Sequence, residues 1–305
     1  MAGGSSAGSP AMTASVSAQQ PTLTPIGPTE SNVVDSGVAP SRGTRYWVGL
    51  NPTSPHNAAG MRTEPPVSVP IGVSVGCCAL TDAVMAGEPA ELPPAISPDG
   101  LRLGIPRTVM LDDLDAAVAV AFERAVSALS RAGARIVELP LEMLGDYARI
   151  NIKGGLPVAE AFAWHEKLLE RRGNEYDPRI RTRIGRGREM TAAEYIRLVE
   201  GRADFIRRFD TETEAFDALV MPTVPMTAPP VAAFARDEDY ARLNLKLLRN
   251  TAIINFLDRC ALSLPIAPPD TAPVGLMVVG RHGDDRRLLA IGQGIETALG
   301  ATGKV

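Results

Sequence analysis

The chain has 305 residues, 45% of them hydrophobic and 22% charged, with a formal net charge of -4. That length suffices for one large or two ordinary domains, and that charge gives no general field for nucleic acid or an anionic membrane. The three cysteines make no metal spacing and point to a reduced, cytoplasmic compartment, and no apolar run approaches the ~20 residues of a membrane helix.

Residues 1–75 carry turn and breaker signals at short intervals: Ser9-Pro10, Gly27-Pro28, Asn51-Pro52, Ser54-Pro55 and Pro65-Pro66. The first lysine is Lys153, and the only aromatic pair before Gly76 is Tyr46-Trp47. So few apolar side chains predict a segment of low order. From Gly76 the text becomes periodic, and residues 76–305 read as an α/β domain. Gly76–Gly87 predicts a short helix with Cys77, Leu80, Val84 and Met85 on one face, ended by Gly87. After a proline-rich connector, Leu101–Ile105 reads as a buried strand closed by Pro106. A helix follows from about Asp113 to Ala132. Asp112 or Asp113 is its expected cap, acidic residues fill its first turn, and Gly133 takes the left-handed position at its end. Arg135–Leu139 returns as a strand, so strand, helix and strand form a βαβ unit with parallel neighbours.

The middle is helical. Val158–Arg171 is amphipathic, and the helix from Thr191 to Phe209 or beyond opens on a Thr191/Glu194 capping box. Asp217–Met221 is a buried strand ending at Pro222. A helix around Leu243–Phe256, strands at Ala261–Leu264 and Gly275–Val279, and a helix over Arg286–Leu299 complete the chain. The expected architecture is a mixed α/β sheet flanked by helices.

Few residues carry chemistry on their own. His56, His165 and His282 fall in no motif, which argues against a histidine triad or a zinc site. No metal or cofactor is implied. Cys260 and the Cys77-Cys78 pair read as core residues. Arg179, Arg181, Arg183, Arg186 and Arg188 make a basic cluster whose simplest reading is a solvated helix face; an anchor for a substrate carboxylate is the other. Thr223, Val224 and Met226 follow a buried strand, where α/β proteins place ligand contacts, and are the expected substrate-binding residues.

The order of pieces is more specific than any one of them. VGCCALTDAVMAGE followed by GLRLGIPR, then DALVMPTVPMTAPP, NFLDRCALSLPIA and PVGLMVVGRHGDDRRLLAIGQGIE, resembles the middle and C-terminal parts of the amidase signature family. The resemblance implies hydrolysis of C–N bonds in small carboxamides by a serine nucleophile, a bridging serine and a lysine that is neutral when it acts as base. Gly3-Gly4-Ser5-Ser6-Ala7-Gly8-Ser9 matches the family's glycine- and serine-rich run, which makes Ser5 the bridging serine by resemblance. The family's lysine lies upstream of that run and its nucleophile in a Gly-Thr-Asp-x-Gly-Gly-Ser segment. Neither segment is in this chain, so the sequence predicts an incomplete, inactive amidase scaffold. The change of text between Ser9 and Val75 is the pattern of a compensated frameshift, or of a decayed gene with an internal start. Two other readings stand beside this one: a non-catalytic module that binds a ligand or partner, and a glutamine-hydrolysing amidotransferase subunit.

Overall fold

A computed structural model describes residues 47–48, 72, 74–89 and 91–300. Ser5 and the bulk of the 1–75 segment lie outside the described residues. The strands are β1 (Trp47–Val48), β2 (Arg102–Pro106), β3 (Arg135–Leu139), β4 (Ala218–Pro222), β5 (Ala261–Pro265) and β6 (Gly275–Val279). The helices are α1 (Val75–Ala86), α2 (Ala116–Arg131), α3 (Tyr147–Ile150), α4 (Gly155–Arg172), α5 (Pro178–Gly185), α6 (Ala192–Thr213), α7 (Asp237–Phe256) and α8 (Asp285–Ala298).

The strands form one mixed sheet in the order β1-β5-β6-β4-β2-β3. The expected βαβ unit is present: β2 and β3 run parallel in register from Arg102 opposite Arg135 to Pro106 opposite Leu139, with α2 between them in sequence. β4 joins β2 in parallel, while β6 is antiparallel to both β4 and β5.

Two hydrophobic layers cover the sheet, which explains why its central strands read as continuous apolar runs. Ala218 and Val220 of β4 join Leu103, Ile105, Leu276 and Val278 in a core shared with α1, α2 and α8. Leu219 and Met221 point the other way, into a core with Met277, Val279 and side chains of α6 and α7. On α2 the buried stripe is Val118, Ala121, Phe122, Ala125 and Leu129, the spacing of one helical face.

Two local expectations are corrected. The cap of α2 is Asp115, not Asp112 or Asp113, and no acidic residue lies in its first turn. Asp113 adopts a left-handed conformation (φ 48°) and pairs with Lys246 at 2.8 Å. The carboxylate of Asp115 is spent across the fold, accepting from Thr227 N–H at 3.2 Å. On α1 the buried face is Val75, Cys78, Ala79 and Ala83, while Leu80, Val84 and Met85 are exposed. Small side chains win because α1 lies close on α8. A Cβ at Gly292 would already stand 3.4 Å from Val75 Cγ1.

Candidate functional site

β5 is where the second layer runs out. Leu262 and Leu264 are buried on one face, whereas Ala261, Ser263 and Pro265 on the other are only half-buried. A cleft of about 610 Å³ opens there, within the size range of small-molecule sites. Its walls are α7 (Leu248, Thr251, Ala252, Asn255), β5, and the turn carrying His282.

The polar end of the cleft is a pair of hydroxyls. Thr223 follows β4, and its N–H donates to Gly275 O at 2.8 Å. This holds Thr223 Oγ1 at 2.6 Å from Ser263 Oγ on β5. The approach requires glycine at 275, since a Cβ there would meet Ser263 Oγ at 2.5 Å and Thr223 Oγ1 at 2.6 Å. Beneath the pair, Asn250 of α7 is fully buried. Its Nδ2 donates to Pro222 O at 2.8 Å and to Met110 O at 3.1 Å, tying the end of β4 to the loop after β2. Arg249 Nε donates to Asn250 Oδ1 at 3.1 Å, and burial pushes that guanidinium below its ordinary range.

At the far end Asp258 is left-handed (φ 57°) and its carbonyl lies 2.9 Å from His282 Nδ1. Cys260 Sγ donates to Arg281 O at 3.0 Å. Burial, then the charge of Asp285, pushes its thiol up to about 12, so it is no thiolate at neutral pH. Arg259 is fixed by Asp210 and lies 5.0 Å over the Phe209 ring. Asp82 on α1 has its carboxyl raised by burial, then by Asp285 and Glu88.

Of the expected binding residues, Thr223 lines the cleft. Val224 and Met226 do not. The chain turns at Pro225, whose carbonyl accepts from Asp115 N–H at 2.9 Å, and Met226 is buried. Ser5 lies outside the described residues. In the basic cluster Arg181, Arg183, Arg186 and Arg188 are exposed, as on a solvated face, while Arg179 pairs with Asp237 at 2.7 Å and stacks over Tyr240, Arg181 donates to Gly173 O, and Arg188 lies over Phe162. His165 is buried against Tyr176, with Nδ1 2.7 Å from the phenol oxygen. Ser263, Gly275 and Asn250 were not legible as site residues. The one signal was a serine placed inside an otherwise apolar strand, ALSLP.

Chemically, the hydroxyl pair can share one hydrogen internally and offer the second to a ligand acceptor. Among the described residues no lysine lines the cleft. Lys153 is held by Glu194 Oε2 at 2.9 Å and Glu189 O at 2.8 Å, and Lys246 by Asp113. Among the described residues no group of three or more His, Cys, Asp or Glu could hold a metal ion, and no helix is long and apolar enough to cross a membrane.

The family model described as Amidase matches residues 80–289. The chain is 35% identical over 227 residues to the 2-amino-5-chloromuconic acid deaminase of Comamonas testosteroni, covering 73% of this chain and 48% of that protein. It is 28% identical to the indoleacetamide hydrolase of Agrobacterium vitis, covering 75% of this chain and 53% of that one. A crystal structure titled as an amidase superposes with a TM-score of 0.63 at 26% identity, over 74% of this chain and 51% of the other. The chain therefore spans about half the length of the curated relatives it matches.

Proposed function

The chain belongs to the amidase family, and from that premise we propose that it forms the substrate-side wall of a hydrolase for C–N bonds in small carboxamides. The observation that carries the reading is the Thr223–Ser263 pair at the head of an open cleft, in a chain matched by the Amidase model from residue 80 to 289. Hydroxyls there suit the carbonyl oxygen of an amide, and the apolar wall of α7 suits its hydrocarbon part. Val224 and Met226 remain part of the proposal as residues that shape the loop behind Thr223.

Hydrolysis needs more than a wall. By resemblance to the family, a lysine that can be neutral takes a proton through a bridging serine from a serine nucleophile, and backbone N–H groups hold the oxyanion. Ser5 is the bridging serine by that resemblance. Among the described residues Lys153 and Lys246 are ion-paired, and no lysine lines the cleft. The chain alone is therefore expected to bind but not to turn over.

Saturation-transfer NMR with benzamide tests the wall. Transfer to the ring that falls at least twofold on Ser263→Ala supports it, and transfer that Ser263→Ala leaves intact overturns it. Ammonia release from benzamide tests the second half. Turnover by the purified chain that disappears on Ser5→Ala would refute its expected inertness.

A further inference from the structure

Residues 155–190 are built as a piece apart. Val158, His165, Tyr176 and Ile184 are buried, yet none belongs to either core of the sheet. Their packing is internal to the segment. His165 meets Tyr176, and residue 187 lies so close on α4 that a Cβ there would stand 2.4 Å from Phe162 Cβ and 2.5 Å from Val158 O. Asp177 caps α5, accepting from Arg179 N–H at 2.8 Å. From this segment Leu156 and Met190, one at each end, join the second core of the sheet, and α4 rests on α6.

Both crossings into the segment are narrow. The entry runs through Lys153, Gly154 and Gly155, three successive residues with positive φ (54°, 90° and 68°). Two of them are glycine, whose backbone changes torsion at little steric cost. The exit runs through Met190 and Thr191, both extended. Lys153 bolts the two crossings together, its Nζ donating to Glu189 O at 2.8 Å and to Glu194 Oε2 at 2.9 Å. Away from this base the tie is Arg179 of α5. It donates to Asp237 Oδ1 at 2.7 Å and to Ala235 O at 3.3 Å, and its guanidinium lies 4.5 Å over the Tyr240 ring. Arg183 adds only its charge, felt at Tyr147 of α3. Asp237 and Tyr240 open α7, the helix whose later turns wall the cleft at Leu248, Thr251, Ala252 and Asn255.

We propose that residues 155–190 form a hinged arm, with pivots at Lys153–Gly155 and Met190–Thr191 and a latch at Arg179, and that the latch couples the arm to the α7 wall of the cleft. A core of its own lets the arm move as one body, and a few backbone torsions at the pivots take up the change. The latch consists of surface contacts that are individually weak, so the closed state is favoured by a small margin. Opening parts Arg179 from Asp237 and Tyr240 and leaves His165 on Tyr176. The first turn of α7 then loses its brace. An arm of this kind needs nothing from the cleft's ligand, so its failure and that of the amide reading are separate results.

Hydrogen–deuterium exchange on the full chain tests the arm. In Arg179→Gln, exchange at residues 152–155, 190–192 and 240–244 should rise about fivefold, while residues 158–172 stay within about twofold of the unmodified chain. Asp237→Asn removes the latch from the α7 side, at a side chain 83% exposed, and should give the same pattern. It keeps the test open should Arg179→Gln fail to fold, which a thermal melt checks. Arg181→Gln, whose partner Gly173 O lies within the arm, should change neither pivot. Exchange that rises equally through 158–172 would mean that the segment melts instead of swinging. Pivots that stay unchanged in both latch variants would mean that Arg179 holds nothing. Either result overturns the proposal.

Discussion

Asn250 braces the backbone behind the cleft without lining it. Its amide serves two carbonyls, Pro222 at the end of β4 and Met110 in the loop after β2, which lie 28 and 140 residues from it in sequence. A buried carbonyl that loses its donor costs about 1–3 kcal/mol. Asn250→Ala removes both donors and leaves a small void, so it should destabilise the fold by about 2–4 kcal/mol. Urea unfolding gives the number, and a loss below about 1 kcal/mol would show that the carbonyls find other donors. The sequence does not display this role. Asparagine inside a helix is a poor helix former with many bland explanations, and its partners are set by tertiary contact. Thr223 was legible because position alone marks it: it follows a buried strand and sits between two prolines. Ser263 was not, because its meaning comes from a neighbour 40 residues away.

At the scale of elements, features encoded within a few residues read correctly and features decided by neighbours did not. The Thr191–Glu194 capping box is complete, with Thr191 N–H donating to Glu194 Oε2 at 2.8 Å and Glu194 N–H to Thr191 Oγ1 at 3.2 Å. The α2 cap lies two or three residues later than expected, at Asp115, and Lys246, distant in sequence, pairs with both Asp113 at 2.8 Å and Asp115 at 3.5 Å. The buried face of α1 turned because α8 admits only small side chains. Glu296 of α8 also reaches the first turn of α1, its carboxylate 3.3 Å from Val75 N. The capping box makes a prediction with a sign. The Thr191 backbone N–H, then Lys153 and the Thr191 hydroxyl, lower the Glu194 carboxyl from 4.5 to about 2. A carboxylate held lower in the folded state stabilises most where it is ionised in both states. Its contribution is therefore full above about pH 4.5, shrinks as the pH falls, and is gone below about 2. Glu194→Gln keeps an amide able to complete the box but removes the charge. The melting-temperature gap between the two proteins should be constant near neutrality and close as the pH falls through that window. A gap that stays constant down to pH 2 would assign the contribution to packing.

For the whole molecule, the contrast between the charged β3 edge and the open cleft beside β5 governs behaviour in solution. An open cleft with an apolar wall is a template for unwanted association, whereas the charged β3 edge is protected. The α7 wall adds to the hazard, since Leu245 is 71% exposed and Leu248 42%. Order of segments and apolar runs made the α/β sheet and its family legible, but not this asymmetry. Nothing in ALSLP says that the strand borders an open cleft. The isolated chain should therefore self-associate as its concentration rises. Replacing Leu245 and Leu248 together by Lys should suppress that association. Both sites are solvent-facing, so stability should change by no more than about 0.5 kcal/mol each. Light scattering over a dilution series, with a thermal melt of each protein, separates the two effects. Association that persists in the double variant at unchanged stability would move its origin away from the α7 wall, to the exposed Val84 and Met85 of α1.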